Sequence, residues 1–368
     1  MDELNKIYVE PTNRCNLTCV TCIRHSWGEP FGDMDWPVYR ALIDGLAEFP
    51  GSKTIAFAGL GEPLLHERFL EMVRLAHDRG MRTEMTSNAV LLTPSLATSL
   101  VDAGLDQFTV SIDGTSDESH GAIRSGTSLE EIIANVRMLY RLREKESETP
   151  LRIGIEFVAM KRNLHELPGL WRIANRILAS FVLVTNVLPY AADLQNEILY
   201  RLRPTSYEGQ GWPNNPLWIL PQMDWNQDTQ GPLSLIMRQQ PNMSFLDINL
   251  NQRNNYCPFV RTGSLAVAWH GGISPCPPLL HSYTCFIMNR KKFFRRCEFG
   301  RLPGQTLPAV WSNPEYAAFR ERVRKFEFSP CTDCGGCDSA ETNEDDCFGN
   351  SFPVCGDCLW ARGVLRCA

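Results

Sequence analysis

The sequence predicts an α/β fold, a partial (β/α)6 barrel of the TIM type followed by a smaller cysteine-rich domain. Six β-rich runs alternate with helical segments between residues 6 and 189, which is typical of βαβ units around a parallel sheet. Nine of the 14 cysteines lie after residue 284, where that alternation has ended. A doubly wound sheet is the alternative for the first part, and both folds place functional residues at the carboxyl ends of the strands.

The six predicted strands are short and rich in β-branched and aromatic residues. They span residues 6–10, 54–59, 82–88, 107–113, 152–160 and 181–188. The clearest helix is 128–145, where apolar residues recur at the i, i+3, i+4 spacing and Ser128 with Glu131 forms a capping box. Further helices are predicted at 35–48, 66–79, 94–103 and 164–178.

Changes in composition predict three segments in the chain. These are a barrel domain at 1–192, a linker or lid at 193–250 and a cysteine-rich domain at 251–368. The middle segment is rich in Pro, Gly, Asn, Gln and Trp, so we expect little regular structure there. In the last segment the pattern predicts a hairpin at 264–274 and a helix at 312–328.

The composition excludes several classes of protein. Hydrophobic residues form 43% and charged residues 21% of the 368 residues, as in ordinary globular proteins. The net charge of −6 offers no basic surface to nucleic acid. No apolar run reaches the roughly 20 residues that span a membrane, and the amino terminus has no secretory signal. A cytoplasmic protein is therefore expected, with free thiols that can bind metal.

Three cysteines follow the first predicted strand at a spacing that leaves a metal site open. Cys15, Cys19 and Cys22 form C-x3-C-x2-C directly after Glu10-Pro11-Thr12-Asn13-Arg14. Three thiolates can hold one face of a cubane iron–sulfur cluster and leave one iron without a protein ligand, whereas ferredoxin and zinc sites use four ligands. A zinc-knuckle fragment is the alternative, but the position after a barrel strand favours the cluster.

This triplet and the motif after the second strand resemble the radical S-adenosylmethionine superfamily. Gly61-Glu62-Pro63 matches the family segment that meets the amino group of the methionine moiety, although Leu60 replaces one glycine of the usual pair. A glycine turn lets the backbone approach a ligand, and a carboxylate suits an ammonium group. Thr21 stands where many members carry an aromatic residue near the adenine, so the stacking group must come from elsewhere, with 23–27 as a candidate.

The resemblance extends to the ends of the third and fourth strands. Ser87-Asn88, after Thr86, and the pair Ser111 and Asp113 occupy positions where the family places contacts to the ribose. Arg124 matches a position that binds the methionine carboxylate. The resemblance thus implies these residues, with Gly61, Glu62 and Pro63, as the binding site for S-adenosylmethionine.

The resemblance implies both the chemistry and the cofactors. A [4Fe-4S] cluster with an open iron site would reduce S-adenosylmethionine, which cleaves to methionine and a 5′-deoxyadenosyl radical that abstracts hydrogen from a substrate. Flavodoxin or ferredoxin is the implied electron donor, and oxygen should destroy the cluster. The sequence assigns no catalytic acid or base, since the candidates are of similar weakness: Asp338, Asp346, Asp357, His25, His66 and His120.

Nine further thiols are candidate metal ligands, and two cubane clusters would use eight of them. They are Cys257, Cys276, Cys331, Cys334, Cys337, Cys347, Cys355, Cys358 and Cys367. The C-x13-G-x4-C spacing of the first two resembles the SPASM extension, which carries auxiliary [4Fe-4S] clusters, whereas the later spacings depart from that pattern. Structural zinc is the alternative for part of this domain because C-x2-C pairs are common zinc ligands. Cys285 and Cys297 are interpreted as surface or structural residues.

The carboxyl-terminal residues 346–367 resemble a particular subgroup of these enzymes. They are similar to maturases associated with tungsten-cofactor oxidoreductases of the aldehyde ferredoxin oxidoreductase type, and the similarity begins at Glu10. It implies that the substrate is such an enzyme, its tungstopterin cofactor or an accessory peptide. Two alternatives remain open: a maturase that forms thioether or carbon–carbon crosslinks in a ribosomal peptide, and a non-enzymatic iron–sulfur or zinc module for electron transfer or docking.

Overall fold

The fold was analysed in a computed structural model of the chain. It describes residues 3–51, 53–146, 151–200, 204–205, 217–221, 223–224, 226–239, 243–245, 256–329, 331–332 and 337–367.

One large sheet runs through the molecule, and two short hairpin-like pairs accompany it. In the described residues the sheet order is β10-β8-β6-β5-β4-β3-β2-β1-β11-β12-β15. All neighbouring pairs from β10 to β11 are parallel, and β12 and β15 are antiparallel. The strands are β1 (Lys6–Val9), β2 (Thr54–Phe57), β3 (Arg82–Ser87), β4 (Gln107–Ser111), β5 (Arg152–Ala159), β6 (Phe181–Asn186), β7 (Pro204–Thr205), β8 (Leu217–Leu220), β9 (Met223–Asp224), β10 (Met243–Phe245), β11 (Ser264–Val267), β12 (Gly272–Ser274), β13 (Tyr283–Ile287), β14 (Arg290–Phe294) and β15 (Gly300–Arg301).

Helices follow most of the parallel strands and cover the sheet. They are α1 (Trp36–Leu46), α2 (Phe69–Asp78), α3 (Pro94–Asp102), α4 (Asp117–Ile123), α5 (Leu129–Glu146), α6 (Leu170–Ile177), α7 (Gln230–Gln239), α8 (Pro258–Arg261), α9 (Leu307–Trp311) and α10 (Pro314–Lys325). Short 3-10 turns occur at Ile23–Ser26, Pro63–Leu65, Leu164–Gly169, Asp193–Glu197, Pro277–Leu279 and Asp338–Ala340. None of the described helices combines the length and the apolar character needed to cross a bilayer.

The prediction of a partial barrel is confirmed by the first six strands and their helices. All six begin at the predicted residue and end one or two residues before the predicted end. β4 and β6 are buried at every position, as expected for parallel strands covered on both faces. The predicted stripe of α5 is buried from Leu129 to Leu139, and Ser128 Oγ accepts from the Glu131 amide at 3.4 Å. The functional loops therefore gather at the carboxyl ends of β1–β6.

The expectation of little regular structure in 193–250 was wrong for the described part of that segment. β8 pairs with β6, and β10 pairs with β8, so both continue the parallel sheet. Helix α7 packs against the 3-10 turn Leu164–Gly169, with Leu233 and Ile236 buried. The apolar run of β8 finds its place through pairing with a distant strand, which local Pro and Gly content does not reveal.

The cysteine-rich part joins the barrel through the sheet itself. The predicted hairpin forms from β11 and β12, and β11 pairs in parallel with β1 along four residues. The predicted helix at 312–328 is α10, whose first turn is capped by Asn313 Oδ1 at 2.9 Å from the Glu315 amide. Because β11 extends the barrel sheet, the carboxyl-terminal domain is fixed beside the end of β1, where the cluster loop begins.

Candidate active site

The loop after β1 is held in place by polar contacts before its first cysteine. Thr12 Oγ1 donates to the Gly32 carbonyl at 2.9 Å, and Asn13 Oδ1 accepts from the Gly32 amide at 2.8 Å. Asn13 Nδ2 also donates to the Pro30 carbonyl at 3.0 Å. Both side chains are buried, so the loop that carries Cys15, Cys19 and Cys22 starts from a rigid base.

The three thiols line a cavity of about 190 Å³, and two of them accept hydrogen bonds from cationic side chains. Arg24 Nε lies 3.3 Å from Cys22 Sγ, and Arg124 Nη1 lies 3.8 Å from Cys19 Sγ. Burial raises the pKa of Cys19, and Arg124 opposes that rise. Positive charge beside a thiol favours the thiolate, which is the form that binds iron. Three such thiols on one loop therefore fit a cluster with an open site.

Glu62 faces the thiols from the loop after β2 and is itself fixed by three donors. Its carboxylate accepts from Ser87 Oγ at 2.8 Å, from the Asn88 amide at 2.9 Å and from the Leu64 amide at 3.2 Å. Burial raises the pKa of Glu62, and these hydrogen bonds oppose the rise. The predicted residues at the ends of β2 and β3 thus form one connected network.

Gly61 allows this network to approach the cluster loop. A Cβ atom at Gly61 would overlap the carbonyl oxygen of Thr12 and lie 2.7 Å from that of Arg14. The Glu62 amide donates to the same Arg14 carbonyl at 2.7 Å. Pro63 is buried at the start of the 3-10 turn and does not line the cavity. It shapes the turn rather than the cavity wall.

Arg124 reaches the cavity from the end of α4 because Asp113 holds it. Arg124 Nε donates to Asp113 Oδ2 at 2.7 Å, and the Val158 amide donates to Asp113 Oδ1 at 2.7 Å. Asp113 is fully buried and does not line the cavity, whereas Ser87, Asn88 and Ser111 do. The structure therefore places Asp113 behind Arg124 as a positioning residue.

Glu156 lines the cavity but was not among the residues predicted from the sequence. It lies on β5 and lines this cavity and the larger one beside it. Burial raises the pKa of Glu156 to about 7, with Arg124 opposing the rise and Asp113 adding to it. A glutamate within the otherwise apolar run of β5 was the signal that could have identified it.

The larger cavity, of about 270 Å³, lies between the barrel and the carboxyl-terminal domain. It shares Thr21, Cys22, Thr86 and Glu156 with the smaller cavity. Ile23 lines it too, whereas Trp27, also in the candidate stacking segment, packs on the His281 ring with centroids 4.1 Å apart. Its other lining residues include Tyr8, Leu188, His281, Tyr283, Trp360, Leu365, Arg366 and Cys367.

A buried histidine joins the two domains at the edge of this cavity. His281 Nε2 donates to Glu10 Oε2 at 2.9 Å, and its Nδ1 donates to Glu29 Oε2 at 2.7 Å. Burial opposes the imidazolium, but the hydrogen bonds to Glu10 and Glu29 outweigh it and raise the pKa of His281 to about 9. This triad has no local sequence signature because Glu10 and His281 lie 271 residues apart.

Four of the predicted carboxyl-terminal ligands line a single apolar cavity: Cys257, Cys276, Cys355 and Cys358. Burial, followed by repulsion from Cys358, raises the pKa of Cys257 to about 12. Burial also raises the pKa of Cys276 and of Cys355 well above the ordinary thiol value. Four half-buried thiols that line one apolar cavity are stable as thiolates only with a bound metal cation, so the donor set fits an auxiliary cluster.

The other predicted ligands are distributed differently. Cys331 is buried, Cys337 and Cys347 are exposed, and Cys334 lies outside the described residues. Cys367 lines the larger cavity, where its Sγ accepts from Trp360 Nε1 at 3.2 Å. In the described part of the chain, no three Cys, His, Asp or Glu side chains lie close enough together to hold a single metal ion. Cys285 and Cys297 are buried, as expected of structural residues.

The weak acid–base candidates mostly have structural partners. Asp346 Oδ2 accepts from the Ser329 amide at 3.0 Å, and Asp357 Oδ2 lies 3.0 Å from Lys292 Nζ. His66 Nε2 lies 3.0 Å from the Met34 carbonyl oxygen. Burial lowers the pKa of His120 to about 4. None of the six acid–base candidates lines the smaller or the larger cavity. They are Asp338, Asp346, Asp357, His25, His66 and His120.

Comparison with known proteins agrees with this arrangement. The radical SAM superfamily model matches residues 9–153, and the SPASM iron–sulfur cluster-binding domain model matches residues 257–338. The tungsten-containing aldehyde ferredoxin oxidoreductase cofactor-modifying protein of Pyrococcus furiosus is 30% identical over 98% of this chain and 96% of its own.

Solved structures share the fold at low sequence identity. SuiB of Streptococcus suis bound to its precursor peptide SuiA has a TM-score of 0.60 at 14% identity and covers 91% of this chain and 70% of its own. The anSMEcpe structure with bound AdoMet has a TM-score of 0.59 at 15% identity and covers 91% of this chain and 86% of its own. The likeness therefore concerns the whole architecture, barrel and carboxyl-terminal domain together.

Proposed function

Because this chain belongs to the radical S-adenosylmethionine superfamily and carries a SPASM iron–sulfur domain, we propose that it matures a tungsten-containing oxidoreductase of the aldehyde ferredoxin oxidoreductase type. The observation that carries the chemistry is the smaller cavity, in which three thiols of one loop face the Glu62 network. The substrate proposal rests on the near full-length similarity to a cofactor-modifying protein of that kind. Membership of an enzyme superfamily argues against the non-enzymatic alternative.

The proposed roles follow from position in the cavity. Cys15, Cys19 and Cys22 would hold the cluster, which supplies the electron for reductive cleavage of S-adenosylmethionine. The Glu62 carboxylate would bind the methionine ammonium. Ser87 and Asn88 hold that carboxylate by hydrogen bonds and would also face the ribose.

Arg124 and Ser111 complete the proposed binding site on the opposite wall. Arg124 is held by Asp113 at 2.7 Å, so its remaining nitrogens can face the methionine carboxylate as well as Cys19. Ser111 lines the same cavity at the end of β4 and is mostly buried, where its hydroxyl would face the ribose. Gly61 permits the contact between loops, and Pro63 shapes the turn that follows.

The carboxyl-terminal domain is proposed to hold two auxiliary [4Fe-4S] clusters. Cys257, Cys276, Cys355 and Cys358, which share one cavity, would hold the first. The second would use the remaining predicted ligands, namely Cys331, Cys334, Cys337 and Cys347. Cys367 then stays outside both sets, in the larger cavity. Flavodoxin or ferredoxin is the proposed electron donor.

Anaerobic reconstitution tests the chemistry. We expect about twelve irons per chain and 5′-deoxyadenosine after addition of dithionite and S-adenosylmethionine. The triple variant Cys15→Ala, Cys19→Ala, Cys22→Ala should lose about four irons and all 5′-deoxyadenosine. Retained cleavage in that variant would contradict the assignment of the cluster loop.

The substrate is tested separately with purified oxidoreductase that lacks its mature cofactor. Incubation with the reduced maturase should change the mass of the oxidoreductase, its pterin cofactor or its accessory peptide, and the change should require S-adenosylmethionine. A crosslinked ribosomal peptide with an unchanged oxidoreductase would favour the peptide-maturase alternative. The proposed class of substrate therefore includes protein, peptide and pterin until that experiment separates them.

A further inference from the structure

The larger cavity is lined by a cationic side chain that has no protein partner among the described residues. Arg366 lines this cavity, and its Nε and Nη2 atoms are buried without a hydrogen-bond partner among the described residues. Its backbone is fixed, since the Arg366 amide donates to Thr185 Oγ1 at 2.9 Å. The preceding turn is fixed too, because Asn186 Nδ2 donates to the Val364 carbonyl at 2.8 Å. The backbone that carries the Arg366 side chain is therefore fixed beside the cavity.

No carboxylate in the described residues balances this charge. Glu156 lines the same cavity, but neither a hydrogen bond nor an ion pair joins it to Arg366 among the described residues. An arginine guanidinium is positively charged at ordinary pH. A buried cation without a counter-charge is costly.

A second unpartnered donor faces the same space. The Tyr283 hydroxyl is buried without a partner, and the side chain is 3% exposed. Burial raises the pKa of Tyr283 well above its ordinary value, so the hydroxyl keeps its proton. The rest of the wall is largely apolar or aromatic, with Tyr8, Trp360 and Leu365 among its members. The cavity thus offers hydrogen-bond donors and positive charge within an apolar wall.

We propose that this cavity binds an anionic group of the substrate, a carboxylate or a phosphate, through the Arg366 guanidinium and the Tyr283 hydroxyl. A guanidinium pairs with either anion through two parallel hydrogen bonds. The inference rests on the proposed function, because the cavity adjoins the S-adenosylmethionine site through Thr21, Thr86 and Glu156. It restricts the substrate to an acidic side chain or terminus of a peptide, or a phosphorylated pterin.

Anion binding is measured on the full-length, anaerobically reconstituted protein with saturating S-adenosylmethionine. The probes are inorganic phosphate, followed by phosphorus NMR line width, and glutarate, followed by saturation-transfer NMR. One of the two should bind saturably, and Arg366→Gln should weaken it at least about tenfold, the effect of losing a hydrogen bond to a charged group. Phosphate preference would indicate a phosphorylated cofactor, and glutarate preference a peptide carboxylate.

Two further variants keep the test decisive. Arg366→Lys should retain part of the binding because the charge remains, and Arg40→Gln, an exposed arginine on α1, should change nothing. If Arg366→Gln does not fold, Tyr283→Phe, which removes only the unpartnered hydroxyl, should weaken the same anion several-fold.

Three results would overturn the proposal. The first is that neither probe binds saturably, or that Arg366→Gln binds them as the wild type does. The second is that Arg366→Gln weakens S-adenosylmethionine by the same factor, which would assign the arginine to the methionine carboxylate. The third is a shifted potential of an auxiliary cluster with anion binding unchanged, which would assign the charge to that cluster. Failure of 5′-deoxyadenosine formation in the wild type is a different outcome and contradicts the proposed function instead.

Discussion

Glu62 is a buried carboxylate that accepts three hydrogen bonds from two loops. Removing this carboxylate should therefore mainly reduce the affinity for S-adenosylmethionine. Glu62→Ala should weaken the affinity for S-adenosylmethionine by roughly tenfold to a hundredfold, equivalent to about 1.5–3 kcal/mol for a hydrogen bond to a charged group. Equilibrium titration with S-adenosylmethionine measures this. Glu67→Ala, an exposed glutamate five residues later, serves as the control and should bind normally. An unchanged affinity in Glu62→Ala would remove this carboxylate from the binding site.

His281 should make stability depend on pH in the alkaline range. Its folded-state pKa of about 9 lies above the ordinary value of 6.5, so the stabilisation is complete below the ordinary value and is lost as pH rises through about 9. The shift corresponds to roughly 3 kcal/mol. Between about pH 6 and about pH 9.5 the unfolding temperature of the wild type should therefore fall more than that of His281→Gln.

The charged groups around His281 determine how a different pH dependence of the unfolding temperature would be interpreted. Glu10 and Glu29 accept from the imidazole, and Arg296 Nη1 lies 3.6 Å from Glu29. If both proteins lost stability in parallel, the titrating group would lie elsewhere. The imidazole would then be neutral in the folded protein.

Residues near one another in sequence were predictable, and distant partners were not. The cysteine triplet and Gly61-Glu62-Pro63 could be read from spacing and a family resemblance, and the structure brings the three thiols, Gly61 and Glu62 to one cavity. Asp113 was expected beside the ligand but is engaged by Arg124 and the Val158 amide. The contact between Glu10 and His281, and the position of Arg366 against β6, arise only when the carboxyl-terminal domain packs on the barrel.

At the scale of elements, the prediction succeeded where a strand and its helix are adjacent in sequence. The first six strands are rich enough in β-branched residues to be predicted as strands. The segments between them repeat apolar residues at helical spacing, which predicts the helices. β8 and β10 have four and three residues in Pro- and Asn-rich surroundings. Their pairing depends on the open edge of β6, a strand distant in sequence. The local sequence of β8 and β10 carries no information about that edge.

The close contact between the loops after β1 and β2 predicts the effect of adding a side chain at Gly61. Gly61→Ala places a Cβ against the carbonyl oxygens of Thr12 and Arg14, so the two loops must separate. We expect loss of the amino-terminal cluster and of S-adenosylmethionine binding, with the carboxyl-terminal iron retained. Iron analysis and ligand titration on the same preparation measure both effects.

Gly28 provides the matched control for that substitution. A Cβ atom there meets nothing within 4 Å, so Gly28→Ala should keep both the iron content and the ligand affinity of the wild type. If Gly61→Ala behaved in the same way, the loops would tolerate separation. The network around Glu62 would then not depend on the close approach.

In the whole molecule, the barrel and the carboxyl-terminal domain are joined by three kinds of contact. β11 continues the sheet beside β1, the His281 triad bridges the two parts, and the turn at Val364 bonds to β6. Together they enclose the larger cavity, so that residues from both ends of the chain form its wall. The proposed substrate site therefore exists only when the two parts are assembled.

This arrangement predicts that the two parts hold together without a covalent link. When residues 1–250 and 251–368 are co-expressed as separate chains, a tag on the first should recover the second, because unpaired β1 and β11 edges would otherwise be exposed. Leu265→Pro in the second chain should abolish recovery, since Leu265 is fully buried in β11 and proline removes a ladder amide from a central strand. Recovery of the first chain alone, soluble and binding S-adenosylmethionine as the intact protein does, would show that the barrel is an independent unit. The sheet continuity through β1 and β11 would then be dispensable for the site.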